Sequence, residues 1–214
     1  MTTYIYLHGF ASSPNSNKAR YLYDRFAEQN IDLKVLDLNQ GDFSNLTLSR
    51  QIKQTLSAFP NDNSPVILIG SSFGALTCAW VAQKSDRVKS LILLAPAFGF
   101  PQSWYSRLEP DRIAQWRESG VLSIYHYGEA KQIPLKYDFL QDAENYPASE
   151  LKRSLPTLVI HGINDDVVPI QVSRNYANTH KRVTLIELDS DHGLNDSKAI
   201  IWEAIDDFLA IDIF

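Results

Sequence analysis

The sequence predicts an α/β fold: a mostly parallel central sheet with helices on both faces and a small cap insertion, forming one domain over residues 1–214. Three observations predict it. Short apolar runs alternate with stretches of helical periodicity along most of the chain. The buried-looking run Val66–Ile69 ends in a Gly70-x-Ser72-x-Gly74 turn that opens a helix-forming stretch. The alternation then breaks once, over about residues 97–154, where aromatic residues crowd together, and afterwards resumes.

The elements follow in order. Tyr4–Leu7 is a short strand, and His8–Gly9–Phe10 with the Ser/Pro/Asn cluster to Asn17 is a loop. Lys18–Gln29 has helical spacing through Tyr21, Leu22 and Phe26, and Leu33–Leu38 is the second strand. A loop holding Gly41 leads to a helix over Leu48–Phe59, with Ile52, Leu56 and Phe59 on one face, and Pro60–Pro65 leads into the central strand. After the helical Ala75–Ala82 run comes the apolar strand Val88–Leu94. Strands separated by single helices imply parallel pairing with right-handed crossovers.

The insertion reads as a helix around Trp104–Glu118, a hairpin from Val121 to Tyr127 turning near Gly128, and a short helix after Tyr137. Its aromatic residues can pack the cap onto the body or roof a pocket. Trp104, Tyr105 and Tyr125 are the candidates for lining one. The alternation returns with a strand at Leu155–Ile160, a helix at Ile170–Thr179, a strand at Val183–Leu188 and a closing helix at Lys198–Leu209.

Composition excludes several classes. A chain of 214 residues that is 44% hydrophobic can bury a full core. A net charge of −5 and a pI near 5.5 leave no basic face for nucleic acid. No run approaches the ~18 apolar residues of a membrane span. The N-terminus carries no basic, apolar and small-residue leader, and the single Cys78 cannot form an internal disulfide, so the cytoplasm is expected. Cys78 reads as a small buried thiol rather than a nucleophile. No His/Cys/Asp/Glu set has convincing metal-ligand spacing, and no phosphate-loop lysine follows the glycines, so neither a metal site nor a phosphate-binding loop is expected. The expected partner is a small-molecule substrate, with the chain a monomer or homodimer.

The chemistry gathers after strand ends. A turn with glycines two positions either side of Ser72 lifts that hydroxyl above the sheet, and the following helix aims its amide end, with the Phe73 N–H, at the same place. Serine at its ordinary pKa is a poor nucleophile and needs a base within hydrogen-bond reach. His192 is the candidate, because it alone of the five histidines follows the final strand. His8 and His161 precede glycines and read as loop-shaping, His126 lies in the insertion, and His180 ends a helix. An acid in the loop after the preceding strand would orient the imidazole; Asp165 and Asp166 are neighbours there, and only one can face it. Glu187, Asp189 and Asp191 read as a solvated rim. The order serine, acid, histidine, each past the carboxyl end of a parallel strand, is the order an α/β-hydrolase requires. A second oxyanion donor would be the Phe10 N–H, after the first strand.

Together, the opening Leu7-His8-Gly9-Phe10-x-Ser12-Ser13-Pro14, the Gly70–Gly74 turn, the His161-Gly162-x-x-Asp165 loop and the His192 loop resemble the YqiA-like esterases, small members of the α/β-hydrolase superfamily. The opening motif is the most family-specific part. The resemblance implies Asp165 as the acid, hydrolysis of carboxylic esters with short acyl chains favoured, and no cofactor. It covers nearly the whole chain in motif order. Residues 97–154 are longer than in minimal members and are similar to the cap of larger serine hydrolases.

Overall fold

A computed structural model describes residues 2–212, with side chains through residue 210. Six strands, β1 (Thr3–Leu7), β2 (Leu33–Leu36), β3 (Val66–Ser71), β4 (Val88–Leu94), β7 (Thr157–Gly162) and β8 (Val183–Leu188), form one sheet in the order β2-β1-β3-β4-β7-β8. Every pairing in it is parallel. Because the chain leaves β1 toward β2 and returns on the other side at β3, the order reverses between β1 and β3. Leu7 and Gly70 are registered partners there, so the loops after both strands open a crevice at the carboxyl edge.

Alternate residues of each buried strand feed opposite cores. Tyr4, Tyr6, Ile67, Ile69, Ile92, Leu94, Leu158 and Ile160 pack with α1 (Asn17–Glu28) and α8 (Lys198–Asp212). Ile5, Leu7, Leu68, Leu91, Leu93 and Val159 pack with α2 (Leu48–Ser57), α3 (Phe73–Lys84) and residues of the 97–154 segment. The remaining helix of the outer layer, α7 (Gln171–Thr179), buries Tyr176 in this second core. Cys78 is fully buried on α3, and burial pushes its thiol pKa up. Among the described residues no helix is long and apolar enough to cross a membrane.

Between β4 and β7 lie α4 (Gln102–Arg107), α5 (Pro110–Ser119), the antiparallel ribbon β5 (Val121–His126) and β6 (Lys131–Lys136), and α6 (Asp138–Ala143). The single helix expected over Trp104–Glu118 is two helices. Pro110 lacks an N–H and restrains the residue before it, so one helix ends and another starts with Pro110 at its first position. One hydrogen bond braces the segment internally and two tie it to the body. Trp116 Nε1–H donates to the Leu135 carbonyl at 2.9 Å, Tyr127 N–H donates to the Ala11 carbonyl at 2.8 Å, and Ser49 N–H donates to Asp142 Oδ2 at 2.8 Å.

Candidate active site

The carboxyl edge of the sheet gathers four loops. Ser72 follows β3 with φ 54° and ψ −114°, a conformation that non-glycine residues avoid and that costs ~1–3 kcal/mol. The turn is over-determined: Ser72 N–H donates to the Leu94 carbonyl at 2.8 Å, and the Ser72 carbonyl accepts from Ala75, Leu76 and Ala97. Small residues are required around it, since a Cβ on Gly70 would lie 2.7 Å from the Ala75 backbone.

Ser72 Oγ lies 3.0 Å from His192 Nε2, and His192 Nδ1 lies 2.7 Å from Asp165 Oδ2. An ionised carboxylate only accepts, so Nδ1–H donates to Asp165 and Nε2 is left to accept from the serine hydroxyl. Asp165 has a fully buried side chain. Its Oδ1 accepts from the Val167 and Val168 N–H groups at 2.8 and 2.7 Å. Its Oδ2 also accepts from His161 Nε2 at 3.0 Å. Burial pushes the Asp165 pKa up, but the His161, His192 and Val168 hydrogen bonds outweigh it and hold the carboxyl well below the usual carboxylate range. Asp166, one position on, is exposed.

His161 is completely buried at the end of β7. Its Nε2–H is shared between Asp165 and the Val168 carbonyl at 2.9 Å, so its Nδ1 accepts from Ser173 Oγ–H at 2.7 Å. That imidazole does more than shape a loop, because it is a second donor to the carboxylate facing His192. His8, also buried, is held by the Gly9 carbonyl and the Leu38 N–H, and burial lowers its pKa. Both nitrogens of His180 meet backbone carbonyls. The acidic residues around His192 are engaged elsewhere: Glu187 with Arg174, Asp189 with Asn164, and Asp191 with the Gly193 and Leu194 amides.

The loop after β1 passes directly over Ser72: a Cβ on Gly9 would lie 3.4 Å from the Ser72 Cβ. Among the described residues, neither the Phe10 nor the Phe73 N–H donates to an acceptor within the chain. Both residues border a cavity of about 1040 Å³ that also reaches Ser72 and His192. Trp104 and Tyr125 line that cavity. Tyr105 does not; it lies outside, and its hydroxyl donates to Glu144 Oε1 at 2.6 Å. Phe100, Leu122, Ile124 and Phe139 add to the apolar wall, and Ser12, Asn17, Lys18 and Asn195 form a polar one. Sequence reasoning missed Lys18, which reads only as the start of an amphipathic helix. Among the described residues no group of three or more His, Cys, Asp or Glu side chains is placed to hold a metal ion.

The chain is similar to proteins of this fold. Human palmitoyl-protein thioesterase ABHD10, mitochondrial, is 25% identical over an alignment of 224 positions that spans 96% of this chain and 72% of that one. The solved structure of mouse alpha/beta hydrolase domain-containing protein 10 superposes with a TM-score of 0.80 at 22% identity, covering 98% of this chain and 90% of that chain. Est1E from Butyrivibrio proteoclasticus, solved with ferulic acid bound, gives a TM-score of 0.84 at 20% identity over 100% and 90% of the two chains. The fold is therefore that of the α/β-hydrolases. Residues 3–210 match the model of UPF0227, described as an uncharacterised protein family, and over nearly its whole length this chain belongs to that family, the group its opening motif resembles.

Proposed function

We propose that the protein is a serine hydrolase that cleaves carboxylic esters through Ser72, His192 and Asp165. The observation that carries this reading is the continuous hydrogen-bonded line from Ser72 Oγ through His192 to the buried Asp165 carboxylate, beside two amides with no acceptor among the described residues. Ser72 Oγ attacks the carbonyl carbon while His192 Nε2 takes its proton, and the Phe10 and Phe73 N–H groups hold the developing oxyanion. The bond to the leaving group then breaks, and His192 returns the proton to the departing atom. Water repeats the sequence on the acyl-serine, releasing the acid and restoring the hydroxyl. In this reading residues 97–154 act as a cap, whose apolar surface takes the acyl chain.

A thioester is the second reading, favoured by the curated relative named as a palmitoyl-protein thioesterase. The same residues serve both, since only the leaving atom differs. The cavity is roomier than the short acyl chains implied by the resemblance require.

The test is hydrolysis of p-nitrophenyl esters and matched thioesters of increasing acyl length by wild type and Ser72→Ala. The variant is expected to lose at least ~10³-fold in kcat. Equal rates in both proteins overturn the assignment of Ser72. A folded wild type inert toward every substrate and toward a serine-directed phosphonate overturns the hydrolase.

A further inference from the structure

Lys18 is the second residue of α1, whose N-cap Ser16 accepts from Ala19 N–H at 3.3 Å and whose first turn carries no acid. It lines the cavity together with Ser12, Asn17 and the Asp191, Gly193 and Asn195 of the His192 loop. Among the described residues its ammonium makes no hydrogen bond, and no ion pair within 4.0 Å. The side chain is half-buried, and burial of its charged end pulls its pKa down to about 8 against the opposing pull of Asp165 and Asp191.

Those two acids are otherwise occupied. Asp165 accepts from four donors, and Asp191 Oδ1 from two backbone amides. A partly desolvated cation therefore faces the cavity with no partner at contact distance. That state is costly unless something else supplies the negative charge.

Its place relative to the chemistry is informative. The base must hand its proton to the departing atom, so the leaving group lies on the His192 side of Ser72. Lys18 opens α1, whose Ala19, Leu22 and Phe26 pack in the same core as Leu194 of the His192 loop, whereas Phe100, Trp104 and Phe139 belong to the opposite core, so it stands on that same side. The aromatic and aliphatic wall built from Phe100, Trp104, Leu122, Ile124 and Phe139 suits the acyl group instead. The net charge of −5 gives the molecule no general attraction for anions, so selectivity for one has to be local.

We propose that Lys18 forms a subsite for an anionic group, a carboxylate or a phosphate, carried on the leaving group of the substrate. This rests on the hydrolase reading above and narrows its substrate class: acyl esters or thioesters whose alcohol or thiol portion is negatively charged. The alternative role for Lys18, a counter-charge to Asp165 and Asp191, affects charged and neutral substrates alike.

The test holds the acyl group constant. Butyrate esters of 3-hydroxybenzoate, of 3-hydroxyphenyl phosphate and of the neutral 3-hydroxybenzamide are compared near pH 7, where Lys18 is charged. Wild type is expected to favour one or both anionic esters over the carboxamide by about tenfold in kcat/KM, and which one it prefers separates carboxylate from phosphate. Lys18→Gln is expected to bring that ratio close to one, and Lys18→Arg to keep it. No anionic preference in wild type, or a ratio unchanged in Lys18→Gln, overturns the subsite. If wild type hydrolyses none of the three, the hydrolase reading is what has failed, and calorimetric titration of the free phenols judges the subsite. Binding of 3-hydroxybenzoate or 3-hydroxyphenyl phosphate that is lost in Lys18→Gln supports it, and binding that is absent or independent of Lys18 overturns it.

Discussion

Replacing Asp165 by Asn keeps the size of the side chain and removes the negative charge that the proposed mechanism sets against His192. Four N–H donors converge on the carboxylate: His192 and His161 on Oδ2, Val167 and Val168 on Oδ1. An amide offers one oxygen and one NH₂. If the NH₂ faces the imidazoles, His161 cannot yield, because its Nε2–H is also held by the Val168 carbonyl at 2.9 Å. His192 must then turn to the tautomer protonated at Nε2, which cannot accept the serine proton. If the NH₂ faces the loop instead, it opposes two backbone donors and the loop must move. Either way the imidazolium loses its counter-charge, for which an expected loss is ~10³–10⁴-fold in kcat, or about 4–5.5 kcal/mol. The assay is p-nitrophenyl butyrate hydrolysis by Asp165→Asn with Asp166→Asn as control, since Asp166 is exposed. Stability adds a second readout. The folded carboxyl titrates below its unfolded value, so its contribution is present above the usual carboxylate pKa of ~3.9 and is lost as pH falls through the folded value. The stability gap between wild type and Asp165→Asn should therefore narrow below about pH 4. A loss of less than ~30-fold, or an equal loss in Asp166→Asn, refutes the reasoning.

Two further outcomes are expected. Gly74→Ala would put a Cβ against the carbonyl oxygens of Leu7 and His8, rigid backbone atoms of β1 and its loop, and should cost at least ~2 kcal/mol in denaturant unfolding, whereas Gly41→Ala meets no atom within 4 Å and pays only for its φ of +68°, about 1 kcal/mol; equal costs would show that the α3 start can shift freely. Lys18 has its pKa lowered to about 8, so the unfolded chain holds a proton there that the folded one has released, and stability should rise with pH from about 8 upward; Lys18→Met should flatten that rise, and parallel wild-type and variant curves would refute the burial of its ammonium.

The fold was legible where burial dictates residue type. Parallel strands covered on both faces need unbroken apolar runs, and Val66–Ser71 and Val88–Leu94 supply them. The ribbon strand β6 was not legible beyond its turn. Lys131–Lys136 is mostly exposed, carries lysine at both ends and holds Pro134, which a two-stranded ribbon tolerates because both strands are edges. Within the site, Ser72 and His192 followed from strand ends, but the choice between Asp165 and Asp166 rested on resemblance, because neighbours in a loop differ only in direction. The same limit explains Tyr105: adjacent helical residues point ~100° apart, so Trp104 reaches the cavity and its neighbour reaches Glu144. Lys18 and the donor role of His161 needed the tertiary structure, since each depends on loops far away in sequence.

Close backbone contacts explain why so few residues suffice to fix this arrangement. Gly74 lets α3 start against the Leu7 and His8 carbonyls, which clamps the Ser72 turn to the loop carrying Phe10. Gly162 lets the end of β7 approach the Ser190 carbonyl, which clamps the Asp165 loop to the His192 loop, and Ile163 and Asn164 N–H groups donating to Leu188 and Ser190 reinforce it. The candidate site is thus two rigid pairs, one holding Ser72 with the Phe10 and Phe73 amides and the other Asp165 with His192, bridged by the 3.0 Å contact between Ser72 and His192. What sets the distance between the pairs is the β4–β7 register, Leu94 against Ile160, with Leu94 binding Ser72 N–H and Ile160 accepting from Ala95 N–H. It follows that a change in either clamp should move a whole pair as a unit, lengthening the Ser72–His192 contact while leaving the His192–Asp165 bond intact.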